Sequence, residues 1–428
     1  MTEKELRYIG NTFENGGDWH SVKLVSLHSC DFIDIIYNLS AFKHHVSDYE
    51  KIIARPLDET NSVVNGTMRK EISVPNIDNY ETIYSGPHLS ISNLYGKNPI
   101  STCKSGSEYD TIDLMNLPEY YVQRTLFKPN IPIEDFKKIV SGFPIGTDSL
   151  GQPMYDDWTT YYKVAFREFV GSISERTLTG AILVPKCQHL GSIVSVTFPK
   201  IEELIEFMGL TSSVVLDYMM KATGASHVKQ NRINSFPLGI TDKYKPSLFV
   251  RTLMLNCLTR YYSSLWSEAF IEEFKEQTWS IEDDRLKSFS NLDKEWSIET
   301  PLRNYFERRQ ALLEIDVITA MALGLNLHEL EMIYDIQFPI LQQNENDTWY
   351  DIKGNIVFSS SKSLSGVGVD RPVWEKIRNM KEGETYEHII EKSELYKGQK
   401  VTYYAPFTKC DRIEDYRRAW THFEKMFR

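Results

Sequence analysis

The chain has 428 residues, of which 41% are apolar, 25% charged and 12% aromatic, and a net charge of −11 at neutral pH. This composition excludes a disordered or collagen-like chain, and at roughly 100–200 residues per domain the length accommodates about two to four domains. A net negative charge disfavours indiscriminate coating of nucleic acid but leaves room for a confined basic cleft. Five cysteines, Cys30, Cys103, Cys187, Cys257 and Cys410, lie at least 70 residues apart with no CxxC pair. They read as reduced, scattered thiols rather than a disulfide framework or a zinc ribbon. Met1-Thr2-Glu3-Lys4-Glu5 opens no apolar run, so no signal peptide is expected. The longest apolar run, 317–323, contains Thr319 and falls far below the ~18 residues of a membrane span. A cytoplasmic protein with no membrane partner is expected.

Over the first 140 residues, short apolar stretches alternate with Asn, Gly, Pro and Ser, as in Val22-Lys23-Leu24-Val25-Ser26-Leu27 and Glu71-Ile72-Ser73-Val74-Pro75. That pattern predicts strands and loops rather than long helices. Ser85-Gly86-Pro87-His88 and Tyr95-Gly96-Lys97-Asn98-Pro99 carry turn chemistry. The apolar run 179–184, closed by Pro185, reads as a strand. Short helices are predicted over 201–208 and 211–220, the second with Thr211 and Ser212 as cap residues. A long helical pattern spans 249–274. The clearest helix runs over 301–323, with Pro301 near its start and Gly324 at its end. A second helix over 326–336 folds back on it as an αα-hairpin. After Asp347, strand and loop signals lead to a final helix over 412–427. The expected fold class is α/β and multidomain, with segments 1–245, 246–345 and 346–428.

Catalytic signatures are absent. The sequence has no GxxxxGK[ST], GxGxxG, HExxH or GxSxG, and Gly366-Val367-Gly368 is a lone turn-like GxG. His44 and His45 are adjacent, so their side chains diverge, and no ligand spacing follows them. Asp110, Asp113 and Glu119 lack the Lys that a metal-dependent nuclease core needs. Glu272-Glu273 and Asp283-Asp284 read as solvated acidic runs. No catalytic, cofactor-binding or metal-binding residue is therefore assigned.

Charge is segregated instead. Between 221 and 260 there are seven basic residues against the single acid Asp242, whereas 261–300 holds four basic against ten acidic residues. Within the basic part, the stretch from Ala222 to Leu238 combines small residues with Lys229, Gln230, Asn231 and Arg232. Those side chains pair with phosphates and base edges, although the same composition also suits a plain polar loop.

Leu216-Asp217-Tyr218, Gly224-Ala225-Ser226-His227 and the run from Ile233 to Leu238 resemble the target-recognition region of large adenine-specific DNA methyltransferases of phage-defence systems, the DISARM-, BREX- and type IIG-like enzymes. Phe166-Arg167 with Glu175-Arg176-Thr177 resembles their "RDI…ERT" stretch. Ile315-Asp316 through Gly324-Leu325 to Glu329-Leu330 resembles their "IDALVA…YGLT" hairpin. Asp347-Thr348-Trp349-Tyr350-Asp351, Ala405-Pro406-Phe407, Cys410-Asp411-Arg412, Asp415-Tyr416-Arg417 and Ala419-Trp420 resemble their carboxyl end. The likeness covers most of the chain from about residue 80 onward.

One departure limits what carries over. The family's cofactor-binding FxGxG is missing, no Pro-Pro pair occurs anywhere, and Asn98-Pro99-Ile100 lacks the second Pro and the aromatic of [DNS]PP[YF]. The resemblance therefore implies a target-recognition subunit without the catalytic half, paired with a separate methyltransferase subunit that binds S-adenosylmethionine. Double-stranded DNA would be read by Arg176, Lys221, His227, Lys229, Gln230, Asn231 and Arg232. The 301–336 hairpin would dock the partner through Leu313, Val317 and Met321, whose stripe widens the apolar face beyond one packing surface, unless the chain's own core fills it. Two other classes stay open: a protein-interaction scaffold of a defence complex, and a nuclease or modification enzyme with an unrecognised site.

Overall fold

The computed structural model describes residues 1–428 apart from 15, 17, 28, 30, 106, 107, 140, 141, 148, 172 and 173, and describes 142–146, 153, 155 and 156 by backbone alone. The fold is mixed α/β, with helices and several small sheets. A four-stranded antiparallel sheet has the order Ile52–Ala54, Ile193–Thr197, Lys163–Arg167, Gly180–Leu183. Its three inner strands are buried on both faces, so they read as continuous apolar runs rather than as alternating ones. The Ile201–Ser212 helix covers one face, with Phe207 set edge-on to Phe166 at 5.8 Å between ring centroids.

The N-terminal region departs from the strand-and-loop expectation. Glu3–Phe13 and Phe32–Ser40 are helices packed on one another, with Tyr8 and Tyr37 edge-to-face at 4.9 Å. The signal was present at Thr2-x-x-Glu5: the Glu5 carboxylate accepts from Thr2 N at 2.6 Å and Thr2 Oγ1 accepts from Glu5 N at 3.3 Å, a capping box.

Two helix boundaries also move. Thr211 and Ser212 are the last residues of Ile201–Ser212, their hydroxyls donating back to Phe207 and Met208 carbonyls at 2.7 Å. Ser213 ends that helix and caps the next, Val214–Ala222. The central helix is Tyr305–Ala322, started by an Asn304–Glu307 capping box downstream of Pro301 and followed by Gly324 at φ +79°. The predicted 249–274 helix breaks into Lys245–Asn256 and Ser263–Ala269. The break is held by tertiary partners: Asn256 Oδ1 accepts from Ile182 N at 3.1 Å, and Arg303 Nη2 donates to Leu258 O at 2.8 Å.

Around Tyr305–Ala322 stand Lys245–Asn256, Ile201–Ser212, Val214–Ala222, Leu327–Gln337 and Arg412–Met426. The largest apolar cluster runs from Ile9 to Phe423, and the segments 1–245, 246–345 and 346–428 all contribute to it. The C-terminal region has a second cluster of its own, in which Trp374 stacks on Phe358 at 5.7 Å. That region also grips the N-terminal one. Asp110 Oδ2 accepts from Glu394 N at 2.6 Å and Leu395 N at 3.1 Å, and Glu394 Oε2 accepts from Ser101 N at 2.9 Å. Cys103, Cys187, Cys257 and Cys410 are free thiols, and Cys30 lies outside the described residues. Among the described residues no helix is long and apolar enough to cross a membrane.

Candidate nucleic-acid interface

The motif blocks that lie far apart in sequence meet in one buried network. Arg176 is ion-paired with Asp217 and donates from Nη2 to Ser212 O at 2.7 Å. Asp217 Oδ1 also accepts from Thr177 N at 2.9 Å and Leu178 N at 3.0 Å. Asp316 accepts from Val214 N at 2.8 Å, from Arg412 Nη1 at 2.7 Å and from Tyr416 Oη at 2.7 Å. Glu345 bridges Arg309 at 2.8 Å and Arg412 at 2.6 Å, and Arg309 reaches on to Asp415 at 2.5 Å. Burial alone pushes the Glu345 carboxyl up, but the Arg412 and Arg309 guanidiniums outweigh it and bring the pKa down to about 2. Removing one member of such a buried pair strands the other without water, at a cost of about 3–5 kcal/mol.

The DNA contact expected of Arg176 is therefore incorrect, because its guanidinium is 9% exposed and neutralises Asp217 in the interior. Lys221 is corrected likewise. Its Nζ donates to Ser174 O at 3.1 Å, lies 5.0 Å over the Phe338 ring, and is lowered in pKa by burial. Arg232 is half-buried and donates to Phe13 O at 2.9 Å, tying down the first helix. The basic excess over 221–260 is thus largely committed at home. Arg251 pairs with Glu314, Arg260 with Glu119, Lys245 with Asp242, and Lys243 donates to Phe427 O.

His227, Lys229, Gln230 and Asn231 remain on the surface. Gly224, at φ +61°, ends Val214–Ala222, and the chain leaves extended to pair with the loop beyond the Lys163–Arg167 strand. Val170 N donates to Ser226 O at 3.0 Å and Val228 N to Glu168 O at 2.9 Å. Val228 is buried, which turns its neighbours outward. Lys229, Gln230 and Asn231 are exposed, and among the described residues their side chains have no hydrogen-bond partner. The His227 ring lies 5.0 Å from that of Phe169, which is 65% exposed. Behind them Glu168 is buried, 3.4 Å from Arg55 and 3.9 Å from His227 Nε2.

Next to this strip is a pocket of about 240 Å³ lined by Gly86, Pro87, Lys97, Arg167, Phe169 and Ser192. Arg167 hydrogen-bonds Leu89 O, but its Nε is buried without a partner. Among the described residues neither Arg167 nor Lys97 has a carboxylate within ion-pair distance, and burial, then Arg167 itself, lowers the Lys97 pKa. Gly86 lets the turn lie close here: a Cβ would meet Ser192 O at 3.3 Å. Sequence reasoning missed Phe169, Lys97, Arg167 and Ser192. Only the Ser85–His88 turn and the Phe166-Arg167 block pointed near them, since an exposed Phe after a strand reads as one more core residue. A larger cleft of about 540 Å³ is lined by Glu282, Asp283, Asp284, Arg285, Ile352 and Thr408, and its acidic charge opposes phosphate.

The partner-docking expectation is also corrected. Leu313 and Val317 are 0% exposed and belong to the chain's own core, because neighbouring helices surround Tyr305–Ala322; Met321 is half-buried against that core. Among the described residues no group of three or more His, Cys, Asp and Glu side chains is placed to hold a metal ion. No protein-family model matches this chain, and no curated protein matches it.

Proposed function

We propose that the chain is the DNA target-recognition subunit of a split adenine-N6 DNA methyltransferase in a restriction-modification or phage-defence system. S-adenosylmethionine and the methyl-transfer residues belong to a separate methyltransferase subunit, and the complex works in the cytoplasm. The observation that carries this reading is the surface strip itself. On a chain of net charge −11, Lys229, Gln230 and Asn231 project unpartnered beside His227, an exposed Phe169 and the carboxylate-free pair Lys97 and Arg167. Lys and Arg neutralise phosphates, Gln and Asn read base edges bidentately, and an exposed ring offers a surface for a base. Enzymes that modify a base must extrude it from the helix, and the grip on the flanking duplex can sit on a different polypeptide from the chemistry. The buried meeting of the resemblance blocks supports the same reading, since side chains matched at distant positions are those that contact one another.

The test is co-expression with the methyltransferase encoded beside it, followed by mapping of N6-methyladenine on the host genome. The expected result is methylation at one defined site, requiring both chains and lost when Lys229, Gln230 and Asn231 are all replaced by Ala. Methylation by the partner alone at the same site refutes the proposal.

A further inference from the structure

We infer that the pocket between the Gly86–His88 turn and Phe169 holds a single unstacked nucleotide of the DNA strand, its phosphate between Lys97 and Arg167 and its base against the Phe169 ring. This rests on the DNA-recognition reading and deepens it by naming where one nucleotide sits.

Three independent features converge on it. The first is charge. Lys97 and Arg167 lie side by side and half-buried, with no carboxylate in ion-pair distance among the described residues. Two cations in that position repel each other and have lost part of their hydration, as the lowered pKa of each reflects. An anion between them removes both costs. A phosphate does so while accepting charge-assisted hydrogen bonds from each.

The second feature is the ring. Phe169 is 65% exposed, yet its backbone is held in place by the pairing of 168–170 with 226–228, and His227 backs it at 5.0 Å. A fixed aromatic presented to solvent costs little further ordering when a base stacks on it. The third feature is size and polarity. At about 240 Å³ the pocket holds about eight waters at ~30 Å³ each, the scale of one base with its phosphate. Ser192 Oγ accepts from Gly86 N at 3.2 Å, and its hydroxyl proton has no acceptor among the described residues, so it can donate to a ligand oxygen.

The experiment uses the full chain and fluorescence anisotropy on two labelled duplexes, one fully paired and one with a single unpaired adenine, over a salt series. The chain is expected to bind the unpaired duplex more tightly. Phe169→Ala should erase that preference, a loss of roughly 5- to 150-fold for one stacked base, without changing the salt slope. Lys97→Met should lower the slope of log K against log salt by about 0.7–0.9 for one phosphate. Because Phe169 is mostly exposed, its variant should melt with the parent chain, which the same samples report. If the parent binds neither duplex at low salt, the DNA reading fails and the site with it. If it binds, and Lys229→Glu weakens binding while Phe169→Ala and Lys97→Met change neither preference nor slope, the nucleotide site is wrong and the DNA reading stands. If deoxyadenosine monophosphate alone competes at the concentration of the oligonucleotide, the pocket serves a free nucleotide and the inference is overturned.

Discussion

Replacing Glu345 by Gln tests whether the buried network holds the C-terminal helix onto the bundle. Glu345 lies at the end of Pro339–Asn346 and accepts from Arg309 Nε at 2.8 Å, Arg412 Nε at 2.6 Å and Tyr334 Oη at 3.1 Å. The amide keeps the shape but removes the charge between two buried guanidiniums and turns an N–H₂ toward one of them. Two routes give the size of the effect. Breaking a buried ion pair by removing one partner costs about 3–5 kcal/mol. Independently, a fall in pKa from an ordinary 4.5 to about 2 corresponds to about 3 kcal/mol of stability at neutral pH, at ~1.4 kcal/mol per unit. The sign follows from the lowered folded value. This contribution is fully present above pH 4.5 and is lost as the pH falls from there toward 2. Urea denaturation of both proteins, followed by tryptophan fluorescence at pH 7 and again near pH 3, measures it. The variant should lose about 3 kcal/mol at pH 7, a large share of the ~5–15 kcal/mol of a typical protein, and the gap should narrow at pH 3. A difference below about 0.5 kcal/mol at pH 7 refutes the reasoning.

Leu313→Glu should unfold the isolated chain, because a charge at a fully buried core site has no partner; a cooperative melt near the parent temperature would restore the partner-docking role. Lys163 is buried with Nζ 3.2 Å from Tyr161 O, and burial pulls its pKa down to about 8. Its lowered folded value means a penalty that is complete below pH 8 and relieved as the pH rises toward 10.5. Lys163→Met should therefore stabilise the chain by about 1–3 kcal/mol at pH 7, and the gain should shrink in urea melts above pH 8. Lys229→Glu should reduce the salt slope of DNA binding by about 1–2 units with an unchanged melting temperature, and an unaltered slope would mean that Lys229 faces solvent or protein.

Local signals along the chain determined where most of its helical segments lie. Asn326 with Glu329, Gly324 at the turn and Asp411 ahead of Arg412–Met426 are start and stop chemistry readable within four residues, and the structure places helix ends there. The N-terminal helices were legible in the Thr2–Glu5 capping box, yet the flanking turn residues outweighed it. The mixed α/β class was likewise available from pattern alone.

The use of each charge was decided only in three dimensions. A window from 221 to 260 counts seven basic residues, but the carboxylates that hold Arg251 and Arg260 are Glu314 and Glu119, and Arg176 finds Asp217 across 41 positions. Ion pairing depends on distance in space, and the low dielectric of the interior makes those distant pairs the strong ones. The same holds for Lys97, Arg167 and Phe169. Nothing near them in sequence reveals that two cations lack carboxylates or that a Phe is left in water, because both are statements about what the rest of the folded chain fails to bring alongside.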